Sequence, residues 1–247
     1  MNSRANWNRK AQFIVVVLCA LALKIHYATA SPNQLRWILA PTTVLVELVS
    51  STGFEFEAYA GYINADRTFL IAGSCAGVNF LITAFLMLSL RKLWRDRSQN
   101  IAWRFIPAMA LFAYLATLVA NTVRISVALR LLRTNLEAGW LSANQLHRFE
   151  GIFVYFGFLL LLFVVSERMR PEKAAGLLRQ CFFPLLIYYI TTLAIPLATS
   201  TYRREIAQSA FWEHSFFVLV TPLLLILLLA TLRFFKVPPA SRQLTRE

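Results

Sequence analysis

An all-α polytopic membrane protein of about six transmembrane helices, with a short extracytoplasmic β-hairpin before the second helix, is the fold that the sequence predicts. Three observations carry it. Of the 247 residues, 58% are apolar, and mean hydropathy is +0.56. Apolar runs of about 20 residues recur, the length an α-helix needs to cross a hydrocarbon core ~30 Å thick. The formal net charge is +13, yet Lys and Arg fall mainly in short clusters between those runs, as cytoplasmic loops require. No nucleic-acid partner is expected from that distribution; the partner is the lipid bilayer. The three cysteines, Cys19, Cys75 and Cys181, are far apart in sequence. No CxxC or Cys/His spacing points to zinc, no disulfide framework can be drawn, and no cofactor or metal is expected.

The first span is about Ala11–Ala30, behind Arg4, Arg9 and Lys10. It resembles a signal peptide, but it is long and its cleavage site is weak, so it is read as a retained helix. Lys24 and His26, near its far end, are either functional or, by the commoner habit of such residues, snorkelling to the interface. Leu35–Ser50 is moderately apolar but interrupted by Pro41, Thr42, Thr43 and Glu47, and is not a simple span. From Gly53 to Tyr59 apolar and acidic residues alternate, the period of a half-exposed strand. Gly61–Asp66 carries turn signals and Thr68–Ala72 is a second strand, so a hairpin delivers Cys75 to the membrane surface.

The second span is about Cys75–Leu93, ending in the basic run from Arg91 to Arg97. The third begins near Arg104 and continues by pattern to Leu132. The fourth is about Phe149–Val165, the fifth Cys181–Thr199 and the sixth Ser215–Phe235. Residues 1–165 read as a membrane core and 166–247 as a two-helix membrane extension. If Leu35–Ser50 does not cross, both termini and the 91–104 and 166–179 loops share one side. That side holds 16 basic residues against 6 on the other, with Lys24, Arg124 and Arg130 inside spans. The asymmetry places the termini in the cytoplasm.

That topology brings three reactive side chains to one depth. Ser74 is the expected N-cap of the second helix, with Cys75 in its first turn and Asn79 one turn further along. A helix N-terminus favours thiolate over thiol, and Gly73, Ala76 and Gly77 leave room for another backbone. A buried cysteine packed as a small hydrophobe is the competing reading. Arg124 lies about twenty residues, ~30 Å, from the inner start of the third helix, and His147 just precedes the fourth. An arginine within an apolar helix is costly and marks a functional or paired charge, or one that snorkels. Thiol, guanidinium and imidazole are, in turn, a nucleophile, an oxyanion partner and a proton carrier. Asn121, one turn from Arg124, and Glu150, one turn from His147, are placed to orient partners or, equally, to pack the bundle.

Ser74-Cys75-Ala76-Gly77, Asn121-x-x-Arg124 and His147-x-x-x-Gly151 resemble the three signature motifs of the exosortase/archaeosortase family. The likeness covers roughly residues 11–165, and from Ala40 to Phe80 it is most similar to the exosortase K type. The resemblance implies a catalytic Cys75, Arg124 and His147 at the outer, periplasmic face of a bacterial cytoplasmic (inner) membrane. It implies cysteine-dependent cleavage, with transfer, of membrane-anchored proteins that carry a C-terminal sorting signal of short motif, transmembrane helix and basic tail. Asn79, Asn121, Gly77 and Glu150 become substrate-binding or orienting residues. One departure is that many relatives have Cys-Ser-Gly where this chain has Cys75-Ala76-Gly77, so a hydroxyl beside the nucleophile is absent. Two other readings stay open: a non-catalytic transporter or scaffold that binds anions at Arg124, and a protease that only hydrolyses.

Overall fold

The computed structural model describes residues 3–96, 101–134, 143–168, 177–195 and 206–236. In chain order it runs α1 (Ser3–Thr29), α2 (Arg36–Ser50), β1 (Phe54–Glu57), β2 (Gly61–Asn64) and β3 (Leu70–Ile71). A single 3₁₀ turn (Gly73–Cys75) follows, then α3 (Val78–Arg95), α4 (Phe105–Thr134) and α5 (Ala143–Arg168). Last come α6 (Leu177–Tyr189), continued by a π-helical turn (Ile190–Ala194), and α7 (Ile206–Lys236).

Trp7–Thr29, Gly73–Arg95, Phe105–Leu132 and Arg148–Glu167 are long and apolar enough to cross a bilayer. The chain is therefore a helical membrane protein. Where fifth and sixth spans were expected, the described residues hold shorter apolar helices, Cys181–Ala194 and Ser215–Thr231. The expected end of the fifth span, Thr199, lies outside the described residues.

α3 is the hub, and α1, α4, α5 and α6 all pack on it. Its sequence is apolar around the whole circumference, as a helix surrounded by others must be, and Val78, Ala84 and Met87 have no exposure at all. α4 approaches it along a seam of small side chains, Ala113, Thr117, Ala120 and Asn121, each fully buried. Such residues let backbones come close where no hydrophobic effect drives helices together. α1 turns Gln12, Val16 and Ala20 inward at i, i+4 spacing and leaves Phe13, Val17, Leu18 and Leu21 exposed, a lipid-facing pattern. At the opposite end of α3 from Cys75, Arg91 donates from Nε and Nη2 to the two Glu167 oxygens at 3.0 and 2.9 Å, tying α3 to α5.

α2 has 15 residues, about 22 Å, too short to cross. It lies against α4. Pro41 sits inside it and has no N–H to give the Trp37 carbonyl four residues earlier. The Tyr114 hydroxyl on α4 donates to that carbonyl instead, at 2.8 Å, while its ring stacks on Trp37. A tertiary contact thus makes good the hydrogen bond that Pro41 removes from this helix.

The expected hairpin is a three-stranded antiparallel sheet in the order β1-β2-β3, with Phe56 opposite Tyr62 and Tyr62 opposite Ile71. The alternation in β1 is as expected: Phe54 and Phe56 are turned in, Glu55 and Glu57 out. Gly61–Asn64, expected as a turn, forms the middle strand. Gly61 has φ +123°, and a Cβ there would stand 2.4 Å from the Ile71 carbonyl oxygen. The residue that signals a turn is what allows β2 to close on β3. Asn64 is buried and receives the Phe69 N–H on its Oδ1, stapling the β2–β3 turn.

Candidate functional site

Cys75 is not in the first turn of α3. It closes the 3₁₀ turn, its N–H donating to the Ala72 carbonyl at 2.8 Å, and α3 starts only at Val78. The expected Ser74 cap is absent; the cap position is Gly77, in the left-handed region at φ +72°, and no side chain caps the helix. The reason is steric. A Cβ on Gly77 would meet Thr117 Cγ2 at 3.2 Å and both Asn121 Cγ and the Tyr155 hydroxyl at 3.3 Å. Glycine alone allows α3 to begin so close to α4 and α5.

From that junction a chain of hydrogen bonds runs through the bundle. Asn121, fully buried, donates Nδ2–H to the Cys75 carbonyl oxygen at 2.6 Å. The Tyr155 hydroxyl donates to Asn121 Oδ1 at 2.8 Å and receives the Arg124 Nη1–H at 3.3 Å. The guanidinium carbon lies 5.4 Å from the Tyr155 ring centroid, a cation–π distance. Phe80 stacks on the same ring, centroids 5.1 Å apart. Gly151 makes the space for Arg124, since a Cβ there would stand 3.0 Å from Arg124 Nε. Cys75 and Arg124 are within electrostatic range of each other, and Tyr27 on α1 is within range of both.

These groups surround a cavity of about 290 Å³. Lys24, Ser74, Gly77, Asn79, Arg124 and Tyr155 line it, and α6 with its π-helical turn supplies Tyr188, Thr191 and Thr192. Ser74 and Gly77, on either side of Cys75, are wall residues; Cys75 itself, half-buried, is not. Lys24, Arg124 and Arg148 all line it, and among the described residues no carboxylate does. Buried Glu150 lies within electrostatic range of Arg124.

Of the residues singled out in the sequence, Cys75, Asn121 and Arg124 are linked through the hydrogen bonds above, Gly77 packs on Asn121, and Glu150 lies within electrostatic range of Arg124. Asn79 borders the same cavity but contacts Lys24 rather than Cys75. His147, expected in a loop, belongs to α5, one turn before Gly151; its side chain lies outside the described residues. Three participants were not read from sequence. Tyr155 was detectable as a lone hydroxyl in an apolar span, at i+4 from Gly151 and i+8 from His147. Lys24 continues the inward stripe of Gln12, Val16 and Ala20. The π-helical turn with Thr191 and Thr192 has no signal of its own. A second cavity, of about 370 Å³, lies at the far end of α3, where Arg91 and Arg95 pair with Glu167 and Lys92 pairs with Asp96. No protein-family model, no curated protein and no solved structure matches this chain.

Proposed function

We propose that this chain is a membrane-embedded cysteine protease and transpeptidase of the exosortase kind, acting on proteins anchored by a C-terminal sorting signal. One observation supports the reading above all. The peptide unit of Cys75 is held by Asn121, and Asn121 shares the Tyr155 hydroxyl with Arg124. Two motifs 46 residues apart thereby belong to one hydrogen-bonded unit beside a cavity.

In the proposed reaction Cys75 gives its proton to His147, and its sulfur attacks a substrate carbonyl reaching the Ser74–Gly77 rim. The tetrahedral oxyanion forms beside Arg124, a charge held in place by Tyr155. Collapse breaks the C–N bond; the leaving amine takes the proton from His147 and a thioester remains on Cys75. An incoming amine, or water, attacks that thioester, its proton passes to His147, and the thiol is restored. Glu150 balances the Arg124 charge from α5.

The proposal includes six crossings, with α6 and α7 as the last two, both termini in the cytoplasm and the cavity at the periplasmic face of a bacterial inner membrane. The 16-to-6 bias in basic residues supports that orientation. Residues 1–165 form the core. The extension is drawn into the site because Tyr188, Thr191, Thr192 and Val218 share the cavity wall.

The rival reading, an anion transporter or scaffold, has in its favour the three cations, and no carboxylate, that line the wall among the described residues. The two separate on the thiol. A surface protein from the same genome, ending in motif, apolar helix and basic tail, is co-expressed and followed by pulse-chase. Processing stops with Cys75→Ala and nearly stops with Cys75→Ser, while Cys19→Ala and Cys181→Ala process normally; a thioester released by hydroxylamine accumulates on the native chain. Full-rate processing by Cys75→Ala refutes the enzyme and leaves the anion-binding protein.

A further inference from the structure

Lys24 is the charge whose position the sequence reading does not explain. A snorkelling lysine leaves its helix from the lipid side and reaches for water. Lys24 instead continues the stripe of Gln12, Val16 and Ala20 by which α1 packs on α3, and it is half-buried. Its ammonium donates to Asn79 Oδ1 at 2.8 Å, and both residues line the cavity that Arg124 lines.

That hydrogen bond decides which way the Asn79 amide faces. An ammonium has donors only, so Asn79 must turn its oxygen to Lys24 and its NH₂ away. The Asn79 side chain is exposed at the cavity, and among the described residues no acceptor takes its NH₂. A carboxamide polarised at its oxygen by a full positive charge is a stronger donor at its nitrogen. Asn79 stands in the first turn of α3, where backbone N–H groups also lack intrahelical partners and no side chain caps them.

We propose that Asn79 is a second oxyanion donor beside Arg124, and that Lys24 is the positioning residue that fixes its amide with the NH₂ toward the cavity. The inference rests on the reading of Cys75 as an acyl-accepting nucleophile and deepens it. When the Cys75 thiolate attacks an acyl carbonyl, the C–S bond forms and the carbonyl electron pair moves onto oxygen. Asn79 Nδ2–H and the Arg124 guanidinium hold that charge until the bond to the leaving group breaks and the carbonyl is restored. Lys24 touches none of the reacting atoms.

The test uses two small probes on the purified full-length chain carrying Cys19→Ala and Cys181→Ala. p-Nitrophenyl acetate acylates a thiolate through a tetrahedral oxyanion and releases nitrophenolate in a burst. Iodoacetamide alkylates the same thiolate by displacing iodide from a saturated carbon, with no oxyanion. Lys24→Met is expected to slow the burst about 10- to 100-fold, within the range for loss of one oxyanion donor or less, while alkylation keeps its rate. Asn79→Ala does the same, and Lys24→Arg, which also offers only donors, recovers most of the burst. Native-rate acylation by Lys24→Met, or equal slowing of both probes without recovery by Lys24→Arg, overturns the positioning role and leaves the nucleophile intact. A burst that persists in Cys75→Ala, or its absence from the native chain, overturns the nucleophile, and the inference falls with it.

Discussion

Replacing Gly77 by alanine puts one methyl group at the point where α3, α4 and α5 meet, and the contacts around it set the size of the effect. The backbone at φ +72° costs an L-residue about 1–2 kcal/mol. The new Cβ stands 3.2–3.3 Å from three atoms, Thr117 Cγ2, Asn121 Cγ and Tyr155 Oη. Each must give way by a few tenths of an ångström, and overpacking of that kind costs ~1–3 kcal/mol. The sum is about 2–5 kcal/mol, a large part of the stability of a marginally stable fold. Two of the three atoms belong to the links at 2.6 and 2.8 Å that hold the Cys75 carbonyl, so the damage falls on the site as well as on the bundle. Unfolding in mixed micelles by added SDS measures the first effect, and the iodoacetamide rate at Cys75, in the background without Cys19 and Cys181, measures the second. Gly77→Ala is expected to unfold at markedly lower SDS and to alter Cys75 alkylation several-fold. Gly53→Ala, with nothing within 4 Å of its Cβ, is the neutral comparison. Stability within ~0.5 kcal/mol of native, the range of ordinary surface changes, with unchanged alkylation, refutes the packing argument.

Three further outcomes are expected. Tyr114→Phe leaves the Trp37 carbonyl without a donor and costs about 1–3 kcal/mol; in a Pro41→Ala background, which restores the backbone N–H, that cost shrinks, and additivity of the two changes in the same unfolding assay counts against the repair. Arg124→Lys keeps the charge but loses the planar fork and the bond to Tyr155, and the nitrophenolate burst falls at least ~10-fold; a native burst removes Arg124 from the oxyanion site. In intact cells, impermeant maleimide labels a single cysteine at Tyr59, which is 99% exposed, and not one at Ser98; labelling at both breaks the six-crossing topology.

What sequence could and could not reveal follows from how local each determinant is. The long apolar helices are legible because crossing a bilayer imposes length and composition on one continuous segment. That Cys75 and Arg124 come within electrostatic range is legible because helix rise converts residue number into position along the bundle. Ser74 was misread as a cap because a cap depends on what packs beside it, and here Thr117, Asn121 and Tyr155 force the helix to start after Gly77. Gly61 and Asn64 carry turn chemistry, but pairing with Glu57 and Phe54 of β1 draws both into strand β2. Pro41 marks an interruption in an apolar stretch, and the residue that compensates for it, Tyr114, lies 77 residues away from Trp37, where local sequence does not show it. Lys24 was assigned to the interface because a lone lysine near a helix end is ambiguous until the face it occupies is known.

The grip of Asn121 is on the carbonyl oxygen of Cys75 and leaves the sulfur alone. The main chain at Cys75 is therefore anchored without help from the side chain it carries. Exchanging sulfur for a methyl hydrogen, as in Cys75→Ala, removes the chemistry but keeps the strand-to-helix junction, the carboxamide bridge and the shape of the cavity mouth. Under the proposed reaction such a variant is a molecular bait: it can hold its clients and cannot let them go by reacting. Photocrosslinking groups installed near the mouth of that inert chain, followed by mass spectrometry of what stays attached, would report which proteins visit this site in the cell.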